Sequence, residues 1–445
     1  MIFETKEMNQ KNRKCIILLS LNWYRRKDPR VPLGMAYLYS ALKSGIADCT
    51  DVDIKFINAD VRENLSNVLH EVLVLNPSVL GMSVYAWNSE QIKHLGHSLR
   101  ELGFTGTIVL GGPEITYGGQ ELNEEFDAAD YFVKGFGEAP ILEIVRKSLE
   151  GQVPVGAGIY RKGEDIGNIL SNSNNEFPSS PYSHKELIPL VTGGDFLRWQ
   201  TQRGCVYRCS FCAFKLPNGL TDESDLPTVE YELGKIKETG IKNVAVLDPV
   251  FFLKKERSMK VLELIRAICP EVHFNIQTRF EHLDSEIIES ISTLNITLEC
   301  GLQTLDPAVQ KEIKRVNNKA KVLEIIRELI KKGVPFETHL IYGLPMQTFE
   351  SFYSDVSTLK ELGCRTVRLF PLSLLRGTEI GVAYGNGEDI HFSPMFPKEI
   401  IKSKWMGMDT LFRLKKLQMQ LEDRNSLLDE ETFGFLKDIS RGARC

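Results

Sequence analysis

The chain has 445 residues, 42% of them hydrophobic and 25% charged, with a formal net charge of -5. That balance suits a globular protein of two or three domains, and the lack of a Lys/Arg block or of a basic helix interleaved with aromatics disfavours nucleic acid as a partner. No uninterrupted run of about 18 apolar residues occurs and Met1 to Lys14 has no apolar core, so a cytoplasmic protein with no membrane partner is expected.

In chain order, the aliphatic run from Cys15 to Leu21 predicts a buried strand and Leu33 to Leu42 a helix. Further strands are expected at 52–57, 78–84, 106–110 and 131–133, with helices near 66–75, 89–102 and 140–149. Strands alternating with helices imply a parallel, doubly wound sheet, which binds ligands at the carboxyl ends of its strands. Two of those ends suit a ligand. Gly111 and Gly112 let the backbone come close to something bulky, and Ser83 and Trp87 offer polar and aromatic groups beside them. Tight turns after strands account for the same residues. Neither end is a GxGxxG fingerprint, which disfavours a nicotinamide or flavin dinucleotide.

Pro154 to Asn174 reads as a short hairpin and the Ser/Asn/Pro-rich Ser171 to Ser183 as a loop, placing a domain boundary there. Asp195 to Thr201 is then the strand that delivers Cys205, Cys209 and Cys212, three cysteines within eight residues in the spacing CxxxCxxC. Thiolates so close on a loop can converge on one soft metal centre: an iron-sulfur cluster, zinc or copper(I). Three ligands leave a 4Fe-4S cluster with one iron free. A zinc knuckle or a chance cluster of buried cysteines are the alternatives, and neither a fourth Cys nor a nearby His completes a zinc tetrahedron. The nine cysteines are odd in number and six are scattered singly, which is no disulfide framework. Beyond the loop, strand signals at 244–247, 273–277, 296–299, 335–341 and 366–370 alternate with helices and, with the strand before the cysteines, make six βα units.

With Phe211 just before its last cysteine, the CxxxCxxC loop resembles that of the radical S-adenosylmethionine superfamily. The resemblance implies that Cys205, Cys209 and Cys212 hold a 4Fe-4S cluster whose open iron chelates S-adenosylmethionine and whose electron cleaves it to a 5'-deoxyadenosyl radical. Six βα units suit that family's partial barrel, with the site at the strands' carboxyl ends. Asp248, after a strand, resembles the position where a polar residue approaches the ligand's amino group, although glycine with two acids is more usual there. Arg279 ends the next strand and suits a carboxylate. Glu299 to Thr304 matches the family's E-x-G-L-Q-S/T turn and implies Gln303 on the sugar hydroxyls or the carboxylate. His339 to Thr348 resembles I-x-G-L-P-x-Q-T, where backbone at Gly343 passes the adenine, and Leu374 to Thr378 resembles the xxGT segment, which brings in Arg376.

Before such a domain, the first third resembles the cobalamin-binding domain of the superfamily's cobalamin-dependent branch, through Pro32-Leu33-Gly34, the GGPE turn at Gly111 to Glu114, and Lys134 to Glu138 in the place of a GEGE turn. Ser83, Trp87, Gly111, Gly112 and Glu138 are the cobalamin residues this implies. The DxHxxG motif that gives cobalt a histidine is absent, as it commonly is in this branch. The implied organisation is a Rossmann-like cobalamin-type domain over 1–150, a hairpin and linker over 151–194, a partial (β/α)6 barrel over 195–380 and a small helical part over 381–445. In the last, a helix is expected from Lys398 to Leu421, with Trp405, Met406 and Met408 as apolar contacts. The implied activity is methylation of an unactivated carbon of a small molecule or peptide, with a flavodoxin or ferredoxin as electron donor. A non-methylating radical rearrangement, cyclisation or dehydrogenation, and a non-catalytic iron-sulfur or zinc module, are the alternatives.

Overall fold

The computed structural model describes residues 14–25, 28–49, 51–167, 177–194, 196–214, 221–385, 387–423 and 426–442. The chain divides into two compact units, residues 1–194 and 195–445. Asp195 and residues 168–176, part of the expected hairpin and loop, lie outside the described residues.

In the first unit, strand β1 (Lys14–Asn22) forms on the aliphatic run, and Ile16, Ile17, Leu18 and Leu19 have no exposed surface. A central parallel strand is covered on both faces, so its sequence is continuously apolar instead of alternating. Around it stand β2 (Val52–Asp60), β3 (Val79–Ser83), β4 (Thr107–Gly111) and β5 (Tyr131–Val133), parallel and in the order β2-β1-β3-β4-β5. The connections are α1 (Leu33–Gly45), α2 (Leu65–Leu75) and α3 (Ser89–Glu101), with two short helical turns between β4 and β5, and α4 (Glu138–Glu150) follows β5. Ile17, Leu19 and Leu21 share a core with Val68 and Val72 of α2 and with Ile92, Leu95 and Leu99 of α3. Leu18 meets Ile141 of α4 over Gly81 on the opposite face. The sheet is therefore doubly wound, and its strand order reverses between β1 and β3, where such sheets bind ligands. The segment expected as a separate hairpin contributes β6 (Ile159–Arg161), which pairs antiparallel with β5 and extends this same sheet.

In the second unit, β7 (Phe196–Trp199), β8 (Asn243–Val246), β9 (His273–Thr278), β10 (Ile296–Gln303), β11 (Phe336–Tyr342) and β12 (Val367–Pro371) lie side by side in chain order, all parallel. The crossovers include α5 (Leu226–Thr239), α6 (Lys255–Ile268), α7 (Ser285–Ser292), α8 (Lys319–Lys332) and α9 (Phe349–Glu361). Among the described residues β12 forms no pairing with β7, so the sheet remains an open partial barrel. Residues alternate along each strand. Phe274, Ile276, Leu298, Cys300 and Leu340 are buried, while Asn275, Gln277, Glu299, Gln303 and His339 on the other face are half-buried. That second face is polar, as a solvent-filled or ligand-filled concavity requires.

The C-terminal part departs from the expected helix over 398–421. Ile400–Ser403 forms a strand, β14, antiparallel to β13 (Ile390–Phe392), and the helix α10 begins only at Met408, running to Asp423. Ile400 and Ile401 are β-branched and stiff, and Gly407 stands just before the helix, so the local preference is for extended chain followed by a break. Met406 is buried as expected, but Met408 is 56% exposed. A last helix, α11 (Glu430–Gly442), follows. Among the described residues no helix is long and apolar enough to cross a membrane.

Candidate functional site

The cysteine loop is anchored before it begins. Both oxygens of Asp248, just past β8, are engaged: Oδ1 accepts from the backbone N–H of Thr201 at 2.7 Å and of Gln202 at 2.9 Å, and Oδ2 accepts from the Thr201 hydroxyl at 2.6 Å. Arg257 of α6 adds a donor to the Thr201 carbonyl at 3.1 Å and to the Ser224 carbonyl at 2.9 Å. Gln202 and Arg203 pair antiparallel with Asp222 and Glu223, so the loop leaves and returns at a clamped neck. Asp248 was expected beside the ligand. It has no exposed surface, and its place is behind the loop, holding the strand that carries it.

Within the loop, Gly204 takes a positive φ of 76°, and the Cys212 N–H donates to the Cys209 carbonyl at 3.1 Å, closing a turn. Ser210 is gripped from two sides. Its N–H donates to the Ile313 carbonyl at 3.0 Å, and its carbonyl accepts from the Ile380 N–H at 3.0 Å, which brings the Gly377-Thr378 segment under the loop. Cys209 is buried, and Cys205 and Cys212 are half-buried. Burial pushes the Cys205 thiol up and the Cys212 thiol to about 11, and each lies within the electrostatic reach of Cys209. Among the described residues no group of three Cys, His, Asp or Glu side chains is placed to hold a metal ion.

The groups facing that neighbourhood have spare hydrogen-bonding capacity. Arg279, at the end of β9, is 4% exposed; its Nη2 donates to Glu281 at 2.9 Å and to Asn317 at 3.0 Å, leaving Nε and Nη1 buried without partners. Burial works to raise the pKa of Glu281, yet the pairing with Arg279 prevails and holds it below the usual carboxylate range. Tyr207 of the cysteine loop lies against the Arg279 guanidinium, 3.9 Å from its ring centroid, and its hydroxyl is 2.5 Å from His282 Nε2. Burial pushes the Tyr207 pKa up; burial and then Arg279 push that of His282 down. Gln303, at the end of β10, adopts a positive φ of 72° at a register shift between β10 and β11, and its Oε1 is buried without a partner. A non-glycine residue held in that region stores strain that the surrounding structure must impose. Gln202 Nε2, Ser210 Oγ and Arg315 Nε are unpartnered as well. An unmet buried polar group costs about 1–3 kcal/mol, so several in one place mark a site whose ligand supplies the missing partners.

These residues fit a cluster with S-adenosylmethionine on it. Three cysteines share one loop, a guanidinium with two free donors suits a carboxylate, and the amide of Gln303 can serve a carboxylate or a sugar hydroxyl. Other expectations land differently. Gly343 has a φ of 81°, but a Cβ there would lie 2.9 Å from Ile400, and Leu411 is close by, so the missing side chain makes room for β14 and α10. Arg376 sits half-buried in its turn. Arg315, Asn317 and Tyr207 were not singled out in the sequence. Tyr207 lies between two of the cysteines and was open to notice, whereas Arg315 and Asn317 sit between two helical stretches with no strand end to mark them.

In the first unit, Ser83 and Gly111 are register partners at the ends of β3 and β4. Trp87 stacks on Tyr85, ring centroids 4.3 Å apart, and its indole N–H donates to the Leu21 carbonyl at 3.2 Å, where the amide of Asn88 also donates at 2.8 Å. These contacts tie the end of β3 to the end of β1 at the strand-order reversal. Gly112 has a φ of 102°, and a Cβ there would sit 2.6 Å from the Val84 carbonyl oxygen, so a close approach of two backbones demands this glycine. Gly111 faces only Val133 at 3.7 Å. Glu138 opens α4, where a carboxylate complements the helix dipole. Buried Lys134 donates to the carbonyls of Gly118 and Gly167 at 2.7 and 2.8 Å and so fixes the turn that precedes Glu138.

Comparison with known proteins adds to this geometry. The Radical SAM superfamily matches residues 199–359, and the B12 binding domain matches residues 27–145. An uncharacterized methyltransferase of Pyrococcus horikoshii is 22% identical over 348 residues, covering 74% of this chain and 73% of the relative. The cobalamin-dependent radical SAM methyltransferase TokK of Streptomyces tokunonensis is 22% identical over 398 residues, covering 83% of this chain; the match spans 56% of TokK. Among solved structures, the radical S-adenosylmethionine methyltransferase TsrM of Kitasatospora setae, with cobalamin and a [4Fe-4S] cluster bound, superposes with a TM-score of 0.67 over 84% of this chain and 75% of TsrM at 17% identity. At that identity the likeness is one of fold.

Proposed function

We propose a reaction from the premise that the chain belongs to the cobalamin-dependent branch of the radical S-adenosylmethionine superfamily: it methylates an unactivated carbon of a small molecule or peptide. The observation that carries the reading is the union, in one chain, of a B12 binding domain with a radical SAM domain, in company with methyltransferase relatives. When bound, the cluster and S-adenosylmethionine supply a 5'-deoxyadenosyl radical that removes a hydrogen atom, and cobalamin supplies the methyl group.

In this reading Cys205, Cys209 and Cys212 ligate the cluster. Arg279 takes the carboxylate of S-adenosylmethionine through Nε and Nη1, and Gln303 takes a carboxylate or ribose oxygen. Asp248 and Arg257 hold the loop's neck, and Tyr207 keeps the Arg279 guanidinium against the loop. Ser83, Trp87, Gly111, Gly112 and Glu138 flank the strand ends at which cobalamin binds. The polar inner face of β9 to β11 favours a polar substrate. A reduced flavodoxin or ferredoxin in the cytoplasm supplies electrons.

Anaerobic reconstitution with iron, sulfide and cobalamin, followed by product analysis, tests this. Methyl transfer yields 5'-deoxyadenosine and S-adenosylhomocysteine together in the presence of substrate. Protein that retains no cobalamin absorbance, or that forms 5'-deoxyadenosine without S-adenosylhomocysteine, excludes the methylation and leaves a non-methylating radical reaction.

A further inference from the structure

We propose that Arg315 sets the reduction potential of the cluster by donating a hydrogen bond to the sulfur of Cys209, an inference that rests on Cys205, Cys209 and Cys212 being the cluster's ligands. Arg315 is 7% exposed, its Nη1 lies 3.6 Å from Cys209 Sγ, and its Nη2 donates to the Gly301 carbonyl.

The arginine reaches that place by a rigid route. After the short helix Pro307–Glu312 the chain turns at Lys314, whose φ is 52°, and the Arg315 N–H donates to the Gln310 carbonyl at 2.9 Å. Gln310 itself donates to the Thr304 carbonyl at 2.9 Å and accepts from the Asn317 N–H at 3.2 Å. The same turn holds the loop through the Ile313 carbonyl and the Ser210 N–H. Gly301 stands beside Gln303 and Arg315: a Cβ there would lie 2.8 Å from Gln303 Nε2 and in ordinary contact, 3.4 Å, with Arg315 Nη2. The guanidinium is thus built into the floor of the cysteine loop from both sides, with its Nε still unpartnered.

Hydrogen bonds to the sulfurs and local charge tune iron-sulfur potentials. Reduction adds one negative charge to a cluster whose ligand sulfurs share it. A buried cation with an N–H directed at one of those sulfurs stabilises the reduced form more than the oxidised form, because little water intervenes to screen it. Arg315 therefore makes the cluster easier to reduce. If it merely buttressed the Gly301 carbonyl, its loss would leave the potential where it was.

The test is a mediated redox titration followed by electron paramagnetic resonance on the full chain, anaerobically reconstituted, for wild type, R315K and R315Q, with iron and sulfide counted in each. R315Q removes the charge, and its cluster should be at least about tenfold harder to reduce at a fixed potential, about 59 mV for one electron. R315K keeps the charge on a shorter group without the planar fork and should fall between the two. If R315Q does not fold, R315K decides alone: a lowered potential supports the role and an unchanged one overturns it. Equal potentials in cluster-loaded variants overturn the proposal while leaving the cluster assignment intact. Loss of the cluster from both variants, with the circular dichroism of the apo chain unchanged, also overturns it, since Arg315 would then retain the cluster and not tune it. Absence of iron and sulfide from the wild type would sink the cluster assignment and this proposal together.

Discussion

The guanidinium of Arg279 lies 3.9 Å from the ring centroid of Tyr207, so a residue between Cys205 and Cys209 forms one wall of a cation with two unused buried donors. The ring contact and the bonds to Glu281 and Asn317 restrain the guanidinium, and a restrained fork recognises a carboxylate bidentately at little ordering cost. Arg279→Lys keeps the charge but loses the planar fork and its two parallel donors on separate nitrogens. It should weaken S-adenosylmethionine binding to the cluster-loaded protein about 10–100-fold, the range for one or two charge-assisted hydrogen bonds. Tyr207→Phe keeps the ring under the guanidinium and loses only the bond to His282, so its effect should stay below about tenfold. Equilibrium binding measurements decide, and an Arg279→Lys protein that binds like wild type removes Arg279 from the site.

Asp248 makes stability depend on pH in a calculable direction. Burial pushes its carboxyl to about 6, against hydrogen bonds from Thr201 and Gln202 that pull it down. A folded-state pKa above the unfolded one means that the folded chain holds a proton the unfolded chain has released. The associated stabilisation is complete below the unfolded value near 4 and is lost as pH rises through about 6. In Asp248→Asn, Oδ1 can still accept from the Thr201 and Gln202 N–H groups, and Nδ2 can donate to the Thr201 hydroxyl. The variant should therefore gain stability over wild type between pH 4 and 7, by up to about 3 kcal/mol. Asp355, accepting from the Thr304 hydroxyl at 2.6 Å, is also pushed to about 6 and titrates in the same window. It is common to both proteins, so the difference isolates Asp248. Chemical denaturation of the cluster-free chain at several pH values measures it, and a difference flat across that window would refute the shift.

How much of this could be read from residues alone depended on how local the cause was. The run at Cys15 to Leu21 announced a doubly covered strand because its burial needs no polar alternation, and the cysteine triplet and the Glu299 to Thr304 turn are contiguous. Side-chain direction was another matter. A carboxylate just past a strand end can face the cavity or the backbone behind it, and Asp248 takes the second course because Thr201 and Gln202 present two N–H groups there. Gly343 was visible as a glycine, but what fills the space beside it, Ile400, lies far along the chain and belongs to a strand that the sequence disguised as helix. Arg315 meets Cys209 across 106 positions, a separation no spacing rule spans.

The cysteines should separate cleanly by environment. Cys209→Ala should abolish iron and sulfide incorporation, since a cluster held by two thiolates loses a third of its protein ligands. Cys300 has no exposed surface, and burial holds its thiol well above the ordinary range, so it acts as a small apolar filler on the helix side of β10. Cys300→Ala should keep the full iron content and cost about 1 kcal/mol of stability. Iron and sulfide assays with thermal unfolding of the two variants check both halves, and a cluster lost from Cys300→Ala would show that the loop is not its holder.

The adjacent glycines of the first unit discriminate between a turn and a cofactor contact. At Gly112 a methyl group would need a left-handed backbone and would collide with the Val84 carbonyl oxygen, which the neighbouring strand cannot withdraw. Gly112→Ala should cost at least about 1–3 kcal/mol from backbone strain alone and lower cobalamin retention as a consequence of the damaged turn. At Gly111 the added methyl meets Val133 at 3.7 Å, an ordinary contact, so Gly111→Ala should leave the melting temperature within about 2 °C of wild type. If cobalamin approaches the backbone at the end of β4, Gly111→Ala should nonetheless lose most of its bound cobalamin, because the methyl group would project into the space the corrin needs. Absorbance of bound cobalamin alongside thermal melts separates the outcomes. Full retention by a well-folded Gly111→Ala would mean that both glycines serve the turn and that cobalamin, where bound, keeps clear of it.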